Sequence, residues 1–438
     1  MNITIERGAA ALLDELHRAG YAAYAVGGCV RDSLLGLAPH DWDLCTAARP
    51  EQVMALFGED RCIPTGLQHG TVTVKRDGKL YEITTFRTEG SYSDGRHPDS
   101  VAFVPDVRED LARRDFTINA MAYSAEAGLY DPFGGRKDLA RGVVRAVGEP
   151  LRRFEEDALR ILRLYRFAAR FGFAIDEATE AAAKQLAAHL DCVSAERIEE
   201  ELNKLLAAPK PGAYLEPEVL AFVLPELPTD YLTKARKMID ALPAGTDEVS
   251  ARWAALLLPL GEAGTRKALK RLKCSNAMID RVTTLVGECQ KLPPQTRIGP
   301  FHCPPYCLWQ QGPTLRTVFG ETSDTPGKLD FTLQAKRLLG KYDLHTIKQL
   351  TALWSALQPE RKDEFSALRA EAEALTAENA CCRISQLAVN GRDLMAAGIA
   401  PGPGLRRVLE ALLEEVITGR LPNEKAELLA FAAKFSAS

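Results

Sequence analysis

The sequence predicts an α+β protein, with a mixed α/β head followed by an all-helical remainder. Three observations carry this. Up to about residue 140, short apolar stretches alternate with turn residues and helical segments. Beyond it, apolar residues recur at helical spacing between Pro and Gly breaks. With 438 residues, 46% of them apolar and 26% charged, the chain exceeds one core and calls for several domains of roughly 100–200 residues. We divide it into a head (1–140), a helical neck (141–208), a helical body (209–330) and a helical tail (331–438).

In the head, Ala9, Leu12, Leu13 and Leu16 fall on one face of a helix. Ala22–Val26 predicts a strand, Gly27-Gly28 a turn, and Val30–Leu37 a helix. Thr71–Lys75 and Lys79–Phe86 flank Asp77-Gly78, a strong hairpin signal. Phe154 to Phe171 is rich in Arg, Leu and Ala and lacks Pro and Gly, which predicts one continuous helix. Further breaks fall at Pro209–Gly212, Pro293–Pro305 and Pro326-Gly327.

Several function classes are excluded by pattern. The longest apolar run, Trp253–Leu260, is far short of the roughly 20 residues that cross a bilayer, so no membrane span is expected. The start of the chain lacks a basic-then-apolar leader, and a cytoplasmic protein is expected. Ten cysteines, including adjacent Cys381 and Cys382, form no paired C-x-x-C sets, so reduced thiols are expected. The stretch His302 to Cys307 lacks a second ligand pair for zinc. A net charge of −4 leaves nucleic-acid binding to local arginine clusters.

Three constellations carry chemistry. The first is Gly27-Gly28-Cys29-Val30-Arg31-Asp32 followed by Asp41-Trp42-Asp43. Glycines between strand and helix let the backbone approach a phosphate, and Arg31 adds a cation. Asp41 and Asp43, two apart on an expected strand, point to one face, where they can share Mg²⁺ in a two-metal site. Glu82 is the candidate third carboxylate. Neither a Walker pattern nor a G-x-G-x-x-G pattern occurs.

The second constellation is Arg113 to Ala120 (RRDFTINA), then Asp131 to Gly135 (DPFGG). Arg113 and Arg114 can neutralise a triphosphate, and Asn119 or Asp115 can bond a ribose hydroxyl. In the third, Asp157, Arg160, Arg163 and Arg166 recur every third residue along one side of a helix. Such a stripe is ordinarily a solvated, salt-bridged face. It also has base-reading logic. Cytosine and adenine each show an amino donor beside a ring-nitrogen acceptor, which an accepting Asp and a donating Arg match. Uracil and guanine show the reverse, a mismatch costing on the order of 1–3 kcal/mol.

In this order the motifs resemble the class II tRNA nucleotidyltransferases, a family of CCA-adding enzymes, CC-adding or A-adding variants and bacterial poly(A) polymerases. The resemblance is dense from Tyr21 to Leu206, including Ser194 to Ile198, and resumes at Leu387–Leu428. Val389 to Leu394 and Leu421 to Lys425 resemble the bacterial CCA-adding branch; about Leu260 to Leu350 does not align. The resemblance implies a polymerase-beta-like head with a mixed sheet. It also implies Mg²⁺ on Asp41 and Asp43, and triphosphate contacts at Gly27, Gly28, Arg31 and Arg114. Base selection falls to Asp157 and Arg160, with phosphate contacts at Arg163 and Arg166. Thr88–Pro98 falls where the family has a mobile loop. The implied substrates are CTP and ATP, and the implied partner is tRNA, held at acceptor end and elbow by a monomer or homodimer. A poly(A) polymerase often carries a basic C-terminal extension; the end of this chain soon after Leu428 favours CCA addition. A non-catalytic RNA-binding protein would be free to lose Asp41 and Asp43.

Overall fold

Helix α1 (Arg7–Arg18) starts on Glu6, whose carboxylate accepts the Gly8 and Ala9 N–H groups at 3.0 and 3.2 Å. This caps donors that the helix cannot satisfy internally. Its apolar face, Ala9, Leu12, Leu13 and Leu16, is fully buried, as the spacing requires. The computed structural model describes residues 3–90, 100–292 and 328–436. The Pro293–Pro305 and Pro326-Gly327 breaks, the His302 to Cys307 stretch and most of Thr88–Pro98 lie outside these residues.

Next come β1 (Ala23–Val26), α2 (Gly28–Leu34), β2 (Leu44–Thr46), α3 (Pro50–Phe57), β3 (Cys62–Gly66), β4 (Thr71–Arg76) and β5 (Lys79–Thr85). They are followed by β6 (Arg87–Glu89), β7 (Val101–Phe103), α4 (Val107–Ala112), β8 (Ala122–Ser124) and β9 (Gly128–Tyr130). One sheet runs β3-β4-β5-β2-β1-β8-β9. It is mixed, because β2 lies parallel to β5 while its other pairings are antiparallel. The predicted hairpin forms: β4 and β5 pair from Thr71↔Thr84 to Arg76↔Lys79, and Asp77 and Gly78 take positive φ (49° and 78°). On one face Val26, Cys45, Phe86, Leu111 and Ala122 form a core.

Two sequence expectations need correcting. The strand expected to carry Asp41 and Asp43 starts only at Leu44, so both aspartates sit on the segment that enters it. The Asp43 carbonyl still accepts the Val26 N–H at 3.0 Å, which ties that segment to β1. The helix expected over Phe154–Phe171 is two helices, α6 (Pro150–Glu156) and α7 (Leu159–Phe171), after α5 (Gly135–Arg141) and β10 (Val143–Val144). Asp157 breaks it with φ −150° and ψ 103°. Its carboxylate accepts the Leu159 N–H at 3.1 Å and pairs with Arg197 at 2.8 Å, local bonds that compete with the helical ladder.

The remaining elements are β11 (Ala174–Ile175) and helices α8 (Glu177–Gln185), α9 (Ala195–Leu206), α10 (Pro217–Val223), α11 (Leu232–Ala241), α12 (Val249–Leu257), α13 (Gly261–Arg271) and α14 (Asn276–Gln290). After residue 327 come α15 (Lys328–Lys341), α16 (Leu344–Leu357), α17 (Lys362–Ala377), α18 (Gly391–Ala396), α19 (Pro403–Ile417) and α20 (Lys425–Ser436). The chain forms two compact units. One comprises Met1–Asp240, Ala244–Val249 and Ala268–Cys274, and the other comprises Ala241–Pro243, Ser250–Lys267 and Ser275–Ser438.

In the second unit the two tail motifs hold each other. Asn390 and Asp393 form a reciprocal capping box at α18, and Lys425 donates to Asp393 at 2.6 Å. Asn423 accepts the Ala388 N–H at 2.8 Å and donates to the Gln386 carbonyl at 3.0 Å. Leu394, Leu412 and Leu428 are buried in the cluster beneath them. Among the described residues the cysteines are free, and no helix is long and apolar enough to cross a membrane.

Candidate active site

The turn from β1 to α2 places Gly27 at φ +78°, a conformation that a side chain strains. A Cβ there would lie 2.8 Å from Nη1 of Arg114, so the glycine also makes room for that guanidinium. The Arg114 Nε is buried and has no hydrogen-bond partner, and its closest counter-ion is Asp110 at 3.5 Å. An orphaned cationic donor beside a bare backbone turn is matched by an anion.

Opposite it lie acidic groups. Leu44↔Ile83 pairing of the parallel strands β2 and β5 sets Asp43 beside Glu82, which faces solvent between buried Tyr81 and Ile83. The Asp43 carboxyl is raised above the usual aspartate range. Loss of hydration is the main cause; Arg114 opposes it, and the negative charges of Glu82 and Asp41 add to it. Asp41 is exposed and pairs with His40 at 3.1 Å. Among the described residues, no three His, Cys, Asp or Glu side chains are gathered as a metal-binding group.

Arg31 is 4% exposed and already engaged. It donates through Nε to Asp32 at 2.8 Å and through Nη1 to the Asn119 side-chain oxygen at 2.5 Å. Asn119 in turn donates to Asp115 at 3.1 Å. Burial would raise the Asp115 carboxyl, but Arg163, at 2.9 and 2.5 Å, and Asn119 overcome this and hold it well below the usual range. The two residues expected to meet a ribose are thus bonded to each other and to arginines. Arg113 binds Asp110 at 2.8 Å and Glu89 at 2.9 Å. The DPFGG turn packs tightly nearby. Asp131 caps α5 by accepting the Gly135 and Arg136 N–H groups at 2.8 and 2.9 Å, and a Cβ on Gly135 would strike the Thr117 carbonyl at 2.1 Å.

Of the expected stripe, Arg160, Arg163 and Arg166 lie on α7 while Asp157 sits at the break before it, and their partners are drawn largely from other segments. Arg160 donates to Glu156 at 2.8 Å, to the Arg153 carbonyl at 3.0 Å and to the Arg113 carbonyl at 3.1 Å. Arg163 takes Asp115. Arg166 is buried against the Phe167 ring at 3.9 Å and pairs with Glu201 at 2.5 Å. Sequence reasoning missed the partners Arg197 and Glu201, which lie one turn apart on α9. Only the i,i+4 spacing of Glu156 and Arg160 was visible locally.

A profile of the poly A polymerase head domain matches residues 23–145, and one of a probable RNA and SrmB-binding site of polymerase A matches 172–228. A putative tRNA nucleotidyltransferase domain 2 matches 332–432. A CCA-adding enzyme of Limosilactobacillus fermentum is 35% identical over 433 residues, covering 97% of this chain and 95% of that protein. The chain belongs to the CCA-adding enzyme family, which consists of tRNA nucleotidyltransferases. A CCA-adding enzyme of Enterococcus faecalis is 36% identical over 438 residues, with 97% and 95% coverage. Among solved structures, the Bacillus stearothermophilus CCA-adding enzyme in complex with CTP is 31% identical with a TM-score of 0.74 over 98% of this chain and 97% of that one. The Thermotoga maritima CCA-adding enzyme complexed with tRNA is 22% identical, with a TM-score of 0.66 over 98% and 95%, and shares the fold.

Proposed function

We propose that this chain adds CMP, CMP and AMP, from CTP and ATP, to the 3′ end of tRNA without a nucleic-acid template. The observation that carries this is the Asp43 carboxyl, which feels Arg114 beside the Gly27 turn on one hand and Glu82 and Asp41 on the other, within a chain related over nearly its full length to CCA-adding enzymes. The 3′ hydroxyl oxygen attacks the α-phosphorus, a new P–O ester bond forms, the α–β bridging bond breaks, and pyrophosphate departs with the hydroxyl proton lost to solvent.

The donor set fits a hard divalent cation. It offers oxygens only, and the mutual repulsion that helps raise the Asp43 carboxyl would be relieved by positive charge. Asp41 and Asp43 would hold it, and Mg²⁺ bound there would favour the ionised hydroxyl and stabilise the leaving pyrophosphate. Arg114, with its unpaired Nε, and the Gly27-Gly28 backbone bind the triphosphate. Arg31 is occupied by Asp32 and Asn119 and holds that turn in place. Asp157 and Arg160 read the base edge, Arg163 reaches phosphate from its pair with Asp115, and Arg166 positions α7 on α9. Head, neck, body and tail would divide these tasks at 140, 208 and 330, with the tail gripping the tRNA elbow.

The test offers purified protein three tRNAs, ending at the discriminator base, in C or in CC, with labelled CTP and ATP. Completion of all three to CCA is expected. Addition of C alone, of A alone, or of long A tracts would replace this reading with a CC-adding, A-adding or poly(A) activity. Asp41→Ala should abolish incorporation while tRNA still binds; appreciable turnover would remove the metal assignment.

A further inference from the structure

Four arginines converge where α7 meets α2, and they share three carboxylates. Arg163 takes Asp115 and Arg166 takes Glu201, while Arg31 and Arg170 divide Asp32 between them. Oδ1 of Asp32 serves Arg31 at 2.7 Å, and Oδ2 accepts from Nη2 of Arg170 at 3.1 Å. By direct ion pairs, one positive charge in this set has no carboxylate of its own. It falls on Arg170, because Arg31 is buried whereas the Arg170 side chain is 46% exposed.

Asp32 is the single hydrogen-bond partner of Arg170 among the described residues, which leaves Nε and Nη1 for a ligand. The guanidinium is also held in place. It lies 4.9 Å from the Phe171 ring centre; that ring is parallel to Phe167 at 6.3 Å and touches Phe173 at 5.4 Å. Arg31 lies against the same Phe171 ring at 4.9 Å. A stacked arginine with unbonded N–H donors is preorganised for an oxyanion. The guanidinium beside the Gly27 turn is that of Arg114, whereas Arg170 bonds Asp32, five residues further along the chain.

We propose that Arg170 is an RNA-backbone contact that receives a phosphodiester of the tRNA acceptor strand, outside the nucleoside triphosphate pocket. Phosphate supplies the missing anion, and one of its oxygens accepts from an unbonded guanidinium N–H. The inference rests on the tRNA reading above.

The experiment measures the KM for tRNA, the KM for CTP and the salt dependence of tRNA binding in wild type, Arg170→Gln and Arg170→Lys. For Arg170→Gln, the KM for tRNA should rise roughly threefold to tenfold and the slope of log K against log salt should shrink by about 1, with the KM for CTP unchanged. Arg170→Lys should keep most of the affinity. An unmoved tRNA KM and salt slope would overturn the proposal, as would a CTP KM that rises in step. Wild type that extends no tRNA would instead overturn the function above; active wild type beside an unaffected Arg170→Gln overturns the RNA contact alone.

Discussion

Arg160 has three acceptors, and only one of them, Glu156, is a side chain; the others are the Arg153 and Arg113 carbonyls. Removing it leaves the Asp157 acceptor, which cytosine and adenine satisfy at their amino groups and which still opposes the uracil carbonyl, but removes the donor that pairs with the ring nitrogen and opposes the uracil ring N–H. Arg160→Ala should therefore relax discrimination against UTP by roughly tenfold or more. Unchanged CTP over UTP selectivity in single-nucleotide incorporation would remove Arg160 from base reading. Arg166 and Glu201 behave differently, because both side chains are nearly buried. Glu201→Ala strands a buried guanidinium, and it should cost about 3–5 kcal/mol in urea denaturation. A loss under about 1 kcal/mol would show that the pair is dispensable to α7 and α9. The stripe itself was legible in the sequence because its period is local. Its partners were not, since Glu201, Arg197 and Asp115 lie 35, 40 and 48 residues from the residues they bind.

Elements were legible where one local signal decided them. The β4 and β5 hairpin needed only Asp77-Gly78 between alternating strands, and α1 needed only its apolar face. The break at Asp157 was hidden, because helix propensity runs through it and the bonds that win come from Leu159 and from Arg197 on another helix. The start of α1 carries a pH prediction. The Glu6 carboxyl is lowered, first by the Tyr81 hydroxyl donating at 2.5 Å; burial opposes this, and the Ala9 N–H and Lys79 add to the lowering. Burial and Glu6 push the Tyr81 hydroxyl up to about 12, so it remains a donor across the working range. A depressed carboxyl contributes stability above its unfolded pKa, near 4.5, and loses it as pH falls through the folded value. Glu6→Gln should thus cost about 1 kcal/mol at pH 7 and progressively less below about pH 4.5. A deficit that stayed constant from pH 7 to pH 3 would contradict the linkage.

At the scale of the whole molecule, a chain of net charge −4 is proposed to bind a polyanion. Composition alone left this to local arginine clusters, and motif order argued for it. The structure gives the reconciling detail: in the first unit, arginines are drawn into one region and carboxylates neutralise most of their charge, leaving Arg170 and Arg114 underpaired. Affinity for tRNA should then come from few phosphate contacts rather than from a broad positive field. The slope of log K against log salt should correspond to a handful of released counter-ions, with each single-stranded contact contributing about 0.7. Binding should weaken between about 50 and 200 mM KCl by far less than the 10³-fold or more expected of a protein that neutralises six to ten phosphates. Filter binding of tRNA across that range measures it. A slope as steep as that of a strongly basic protein would require a larger cationic surface than these arginines provide.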